Sequence, residues 1–266
     1  MIKIGCCANM VAKEPGGLGI EIIDNIDIMR YDYIELSLSH VAGMDEDEFS
    51  VLLEKISSSR IPCEACNNFF PKNIRLTGDK ADLKVTLSYV EHALSRAARL
   101  GASIVVFGSS EAKNVPDGFS GEKAWDQIVK LLKEIDEIAG RYGITIVIEA
   151  LNRIESNLIN TVKEGYNLVK DVNRSNIRLL IDYYHMMVEK EDLRIIIEAG
   201  EYIKHVHIAR LLGRSYLLTG NECNYNTFFY NLKKIKYEGR ISIEGYTQDF
   251  LNDAEKALNF IRQNVN

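Results

Sequence analysis

The chain has 266 residues, 46% hydrophobic and 26% charged, with 32 Lys plus Arg against 38 Asp plus Glu for a net charge of −6. That length suits one large domain or two small ones and can bury a core without disulfides. An acidic chain with no basic cluster makes a poor nucleic-acid binder, and no apolar run approaches the roughly 18 residues that span a bilayer. The start, MIKIGCCANM, lacks the pattern of a secretory signal. The five cysteines, Cys6, Cys7, Cys63, Cys66 and Cys223, follow no framework spacing. An odd, unpatterned set fits a reducing, cytoplasmic setting.

Apolar runs of strand length recur from end to end: KIGCC (3–7), YIEL (33–36), PCEAC (62–66), SIVVF (103–107), TIVIE (145–149), IRLLI (177–181), KHVHI (204–208) and RISIE (240–244). Several are nearly continuous in Val and Ile, as parallel strands buried on both faces are. Helical patterns lie between them. Over 84–100, Leu87, Val90, Leu94 and Ala97 form one stripe; over 122–142, Ile128, Leu131, Leu132, Ile135, Ile138 and Ala139 form another. Gly101 and Gly143 stand where these helices would end. Thr161-x-x-Glu164 reads as a capping box opening the helix after the fifth strand. Only four prolines occur, no linker-like stretch interrupts the pattern, and no domain boundary is visible. Eight strand–helix units predict a single-domain α/β chain, a (β/α)₈ TIM barrel spanning 1–266, with a doubly wound open sheet as the runner-up.

Polar residues fall at the carboxyl ends of four consecutive runs. Glu149 closes TIVIE, Asp182 follows IRLLI, His207 lies in KHVHIA and Glu244 closes RISIE. In a barrel these ends converge on one mouth, where such enzymes place their chemistry. A lone carboxylate at a strand end is ordinarily a cap or a salt-bridge partner; four on consecutive strands call for a common cause. Three carboxylates and an imidazole facing one another need a positive charge between them, and a divalent cation supplies it. Oxygen-rich, with one nitrogen and no thiolate, the set favours Mn²⁺, Mg²⁺ or Co²⁺ over a structural zinc. His205, two residues before His207, points the same way by strand alternation and is read as a hydrogen-bonded wall residue.

The segments VVFGSSEAKNVPDGF (105–119), IEALNRIESNLINT (148–161), LLIDYYHM (179–186), HVHIA (205–209) and ISIEG (241–245) resemble the sugar phosphate isomerase/epimerase family of the xylose isomerase-like barrels, which includes ketose 3-epimerases such as those of D-psicose and D-tagatose. The resemblance runs over nearly the whole chain. It implies that Glu149, Asp182, His207 and Glu244 hold one divalent metal, Mn²⁺ first, with Mg²⁺, Co²⁺ or Zn²⁺ as alternatives. It implies that Glu149 and Glu244 form the acid–base pair, and that Glu155 and His185 contact substrate. After His207 the run HIARLLGRSYLL departs from the family pattern, lacking its Gly-Glu and Pro-Gly; the substrate-binding arginine is then Arg214, with Arg210 the alternative.

On this reading one glutamate removes a proton beside a carbonyl, the metal stabilises the resulting enediolate, and the other glutamate returns the proton from the far face. Return to the adjacent carbon would instead interconvert aldose and ketose. An inosose-type dehydratase and a catalytically idle sugar-binding barrel are the rival readings. A three-zinc nuclease of the endonuclease IV kind would need more than the five histidines present. The expected partner is a small sugar or sugar phosphate, with neither nucleic acid nor membrane, in a homodimer or homotetramer. Asn152 and Arg153 are expected to support Glu149 or the rim. Glu111 and Lys113, in the loop after the fourth strand, read as solvated loop charges, with substrate contact the alternative, and Trp125 as packing. Cys63 and Cys66 are expected on opposite faces of their strand, and Gly16–Gly19 as a flexible loop rather than a dinucleotide motif.

Overall fold

Eight short parallel strands, each hydrogen-bonded to the next, close on themselves: β1 (Lys3–Cys7), β2 (Tyr33–Ser37), β3 (Cys63–Asn67), β4 (Ile104–Phe107), β5 (Thr145–Glu149), β6 (Ile177–Asp182), β7 (Ile203–Ile208) and β8 (Arg240–Ile243). The computed structural model describes residues 2–216 and 224–265, so Cys223 lies outside the described residues. Lys3 to Cys6 of β1 pair in parallel with Arg240 to Ile243 of β8. That pairing closes the sheet and rules out the open, doubly wound alternative. The predicted strands stand within a residue or so at each end; Asp182 is the last residue of β6 rather than the first beyond it.

The outer ring follows the amphipathic stripes. The helix Leu83–Leu100 buries Val90, Leu94 and Ala97, with Leu87 packed at its edge. The helix Gly121–Tyr142 buries all six predicted residues from Ile128 to Ala139. Asp82 and Ser120 cap their amino ends through side-chain oxygens, which satisfy backbone N–H groups that the first turn leaves open. Gly101 and Gly143 end them in the left-handed region. At the helix Val162–Val172, Thr161 Oγ1 accepts from Glu164 N at 3.1 Å. The Glu164 carboxylate accepts from Asn160 N at 2.6 Å, so the box closes one residue upstream of its usual place. No helix among the described residues is long and apolar enough to cross a membrane.

Strand alternation divides the interior in two. One large core fills the space between sheet and helices; inside the barrel Tyr33, Ala65, Ile104, Val106, Val147 and Leu180 form a separate apolar plug. Two residues further along the same inward-facing rows stand Glu35, Asn67, Gly108, Glu149 and Asp182. The polar site thus rests on the apolar plug. The expectation for Cys63 and Cys66 is corrected. The β2–β3 register shifts between Ile34 and Glu35, and this irregularity turns both thiols into the outer core, where they contact each other as free cysteines. An inserted residue breaks the period of two on which the expectation relied. The loop at 16–19 is anchored by buried Leu18.

Leu180→Ala opens a hole in the plug and is expected to destabilise the protein by about 2–5 kcal/mol, read as a lower urea midpoint with an unchanged slope. A shift below about 1 kcal/mol would mean that the plug collapses freely.

Candidate active site

Because all eight strands run the same way, their carboxyl ends share one rim. Glu149 ends β5, Asp182 ends β6, His207 is the penultimate residue of β7, and Glu244 follows β8 with its N–H donated to Ile208 O at 3.1 Å. One ligand atom from each of these four side chains lies within 4.8 Å of the others, and all four residues are buried. His207 Nδ1 is 3.1 Å from Glu149 Oε1 and 3.2 Å from Glu244 Oε2. The two oxygens of Asp182 have different duties. Oδ1 accepts from Tyr184 N at 2.7 Å and so caps the helix Tyr183–Val188, whereas Oδ2 is buried without a hydrogen bond.

Crowding shows in the protonation equilibria. Burial pushes the Asp182 carboxyl up to about 7, only partly opposed by Arg214. Burial also pushes Glu244 up, but Arg214 and His207 outweigh it and hold that carboxyl well below the ordinary range. The Arg214 guanidinium enters from the β7–β8 side, with Nη2 2.5 Å from Glu244 Oε2 and 3.5 Å from Asp182 Oδ2, and Nη1 3.6 Å from Glu155 Oε1. Its backbone is left-handed (φ 45°). The turn carrying it is tied by Arg210 N to Ser215 O, Tyr246 N to Arg214 O and Tyr216 N to Tyr246 O. Gly245 lets these two segments touch, since a Cβ there would lie 2.9 Å from the Ser215 carbonyl carbon. Of the two candidate arginines the structure brings Arg214 to the cluster, while the Arg210 backbone closes the turn.

His185 is buried beside them. Its Nδ1 faces the backbone N–H of Asn152 at 3.2 Å, which only donates, so Nδ1 accepts and Nε2 carries the proton. Burial, aided by Arg214, pulls this imidazole down to about 4, leaving it neutral at physiological pH. Nε2 lies 3.6 Å from Asp182 Oδ2 and 3.5 Å from Arg214 Nη2. Of the two expected roles, support of Glu149 or of the rim, Asn152 takes neither directly: it supports His185 and donates to Glu155 Oε1 at 2.9 Å. Arg153 stays on the rim with Glu189 and Glu164. Trp125 packs at the core edge and donates to Asp171.

Three residues escaped the sequence reading. Glu35, inside YIEL, is fully buried beneath His207 and accepts from three side chains. Lys113 is a correction: it is fully buried, not solvated, and its Nζ donates to Gly108 O at 2.6 Å. Burial pulls its ammonium down to about 7 against the opposing pull of Glu149 and Glu155. Glu111, by contrast, stays at the surface and pairs with Lys72 at 2.9 Å. Gly108 is the third, since a Cβ there would lie 2.0 Å from Glu149 Oε2. A charged residue inside an otherwise apolar strand was the available signal for Glu35; for Lys113 and Gly108 only the folded chain supplies one.

The donor set fits a divalent ion. Hard oxygen ligands predominate, the single nitrogen is imidazole, and Asp182 Oδ2, which accepts no hydrogen bond, faces the others. Ligands about 2.1–2.2 Å from a common ion stand at most about 4.4 Å apart, close to the observed spread.

Gly108→Ala is expected to displace the Glu149 carboxylate and weaken Mn²⁺ binding in calorimetry while leaving the urea midpoint near wild type. A second expectation concerns pH. Lys113 titrates at about 7 when folded and about 10.4 when unfolded, so the unfolded chain binds more protons between those values. The contribution of Lys113 to the stability of the chelator-treated protein should therefore rise with pH from about 7 to about 10, by up to about 1.4 kcal/mol per pH unit, against the falling contributions of His207 and the buried thiols. Lys113→Met should remove that slope; equal slopes for both proteins in urea titrations would contradict the burial argument.

Comparison with known proteins bears on the fold and the family. Residues 23–264 match the family described as xylose isomerase-like TIM barrel. The L-ribulose 3-epimerase of Methylomonas sp. (strain DH-1) is 27% identical over 256 residues, which are 88% of this chain and 87% of that one. A D-allulose 3-epimerase from Methylomonas sp., solved with D-allulose, superimposes with a TM-score of 0.85 at 25% identity, covering 99% of this chain and 97% of that one. A D-psicose 3-epimerase solved in the presence of D-fructose gives 0.87 at 21% identity over 99% of each chain. With nearly its full length matched, a closed eight-stranded barrel and an acidic mouth, the chain belongs to the xylose isomerase-like TIM barrel family.

Proposed function

We propose that this protein is a divalent-metal-dependent ketose epimerase in which Glu149 and Glu244 pass a proton across the substrate. Its relatives make it a sugar isomerase or epimerase. The observation that carries the finer reading is the buried cluster of Glu149, Asp182, His207 and Glu244, because both glutamates belong to it and flank His207 Nδ1 at nearly equal distance. These four residues would hold Mn²⁺, with Mg²⁺, Co²⁺ or Zn²⁺ as alternatives. When bound, such an ion polarises a carbonyl and offsets the negative charge that develops on the substrate.

The protein's own groups do the rest. One glutamate takes the proton from the carbon beside the carbonyl, and the other delivers it from the opposite face, which inverts that carbon. Glu244 enters this exchange ionised, held so by Arg214 and His207 against burial. Neutral His185 presents Nε2–H as a donor to a sugar oxygen, its other nitrogen being occupied by Asn152. Glu155 and Arg214 supply an acceptor and a fork of donors for further hydroxyls. At the same mouth a cavity of about 490 Å³ opens between the loops after β1 to β4, walled by Asn9, Ser37, Asn68 and Ser109. Its size suits a five- or six-carbon sugar.

The test is proton exchange. With Mn²⁺ and a panel of ketoses and ketose phosphates in D₂O, wild type is expected to place deuterium on the inverted carbon. Glu244→Gln should be slower by about 10²–10⁴-fold. Exchange at the neighbouring carbon would reassign the protein as an aldose–ketose isomerase, and a product lighter by one water would make it a dehydratase. Turnover that survives exhaustive chelation would remove the metal from the proposal.

A further inference from the structure

We infer that Glu35 is a positioning residue that fixes which nitrogen of His207 faces the metal centre. Glu35 lies on β2, across the barrel from β7, and is fully buried. Its Oε1 is 2.9 Å from His207 Nε2, and its Oε2 is 2.8 Å from His205 Nε2 and 2.6 Å from Ser242 Oγ. Ser242 Oγ is in turn 2.7 Å from Tyr33 Oη.

An ionised carboxylate only accepts hydrogen bonds, so every neighbour must donate to it. Both imidazoles therefore turn Nε2–H toward Glu35. Ser242 has one proton and gives it to Glu35, so it accepts from Tyr33. Burial strips water from this carboxylate, and the three contacts at 2.6–2.9 Å replace it. With Nε2 committed below, His207 presents Nδ1 above, toward Glu149 and Glu244. The opposite tautomer would set a bare Nε2 against a buried carboxylate, an unpaired arrangement that leaves both groups without a donor. Cys7 Sγ lies farther from the same Nε2, at 3.9 Å, so Glu35 Oε1 at 2.9 Å is the nearer partner. His205 falls into place as the second donor that Glu35 requires. A carboxylate behind a ligating histidine orients the ring and makes its free nitrogen a stronger donor to a metal.

The inference rests on His207 being a metal ligand, and the experiment separates the two. Full-length wild type and Glu35→Gln are stripped with chelator and titrated with Mn²⁺ by calorimetry. In parallel, ¹⁵N-histidine spectra are recorded on wild type loaded with diamagnetic Zn²⁺. The substituted glutamine keeps the shape of the side chain but must turn its amide N–H₂ toward one of three groups that themselves donate. The variant is expected to bind Mn²⁺ about 10–100-fold more weakly. The wild-type spectrum should show His207 protonated at Nε2 and coordinated through Nδ1. Wild-type affinity in Glu35→Gln, or coordination through Nε2, overturns the inference and leaves the metal centre standing. A wild type that binds no divalent ion overturns the metal centre and this inference with it. Should the variant fail to fold, the wild-type spectrum decides alone.

Discussion

Three carboxylates share a space within 4.8 Å of an imidazole at the mouth of this barrel, cut off from water. Like charges so placed repel strongly, and each has lost its hydration. Most of the surrounding structure answers that problem. Arg214 reaches over Glu244 and Asp182, His207 stands between the two glutamates, and a buried Lys113 lies near Glu149 and Glu155. The groups respond unequally: Asp182 moves toward its neutral form while Glu244 is held ionised. Neighbouring acids whose environments push them apart in this way are the raw material of acid–base chemistry, and a divalent ion is the further charge that such a set accommodates.

The barrel makes the crowding possible by separating tasks along each strand. The lower inward positions are apolar and hold the plug; the upper ones are polar and hold the site. Precision comes from close contacts that tolerate no extra atom. Gly108 leaves room for the Glu149 carboxylate, and Gly245 lets the segment after β8 lie against the turn that carries Arg214. Asp182 joins the two levels, since one oxygen caps a helix and the other faces the cluster.

Beneath the ligands a layer of hydrogen bonds sets orientation rather than charge. Asn152 decides the tautomer of His185 and steadies Glu155, and Glu35 gathers His205, His207 and Ser242. The Asn152–His185 bond links residues 33 positions apart that follow neighbouring strands, whereas the Glu35 bonds span up to 207 positions and exist only in the closed barrel.

Much of this was legible in the amino-acid sequence. Val- and Ile-rich runs alternating with amphipathic stripes specify parallel strands and outer helices, because burial on both faces or on one leaves different periodicities. Acids and a histidine at four successive strand ends, together with the resemblance at LNRIE and DYYH, pointed to the residues that the structure brings together. The fate of Cys63 and Cys66 was not legible, since a shift in strand register depends on the neighbouring strand. Nor was the burial of Lys113, which depends on how a four-residue helix folds back onto Gly108. Strand order and residue type are local properties that periodicity encodes. The choice of Arg214 over Arg210, the proton positions on His185 and His207, and the place of Glu35 were decided by tertiary structure alone, because each depends on which distant donor or acceptor the closed barrel sets opposite it.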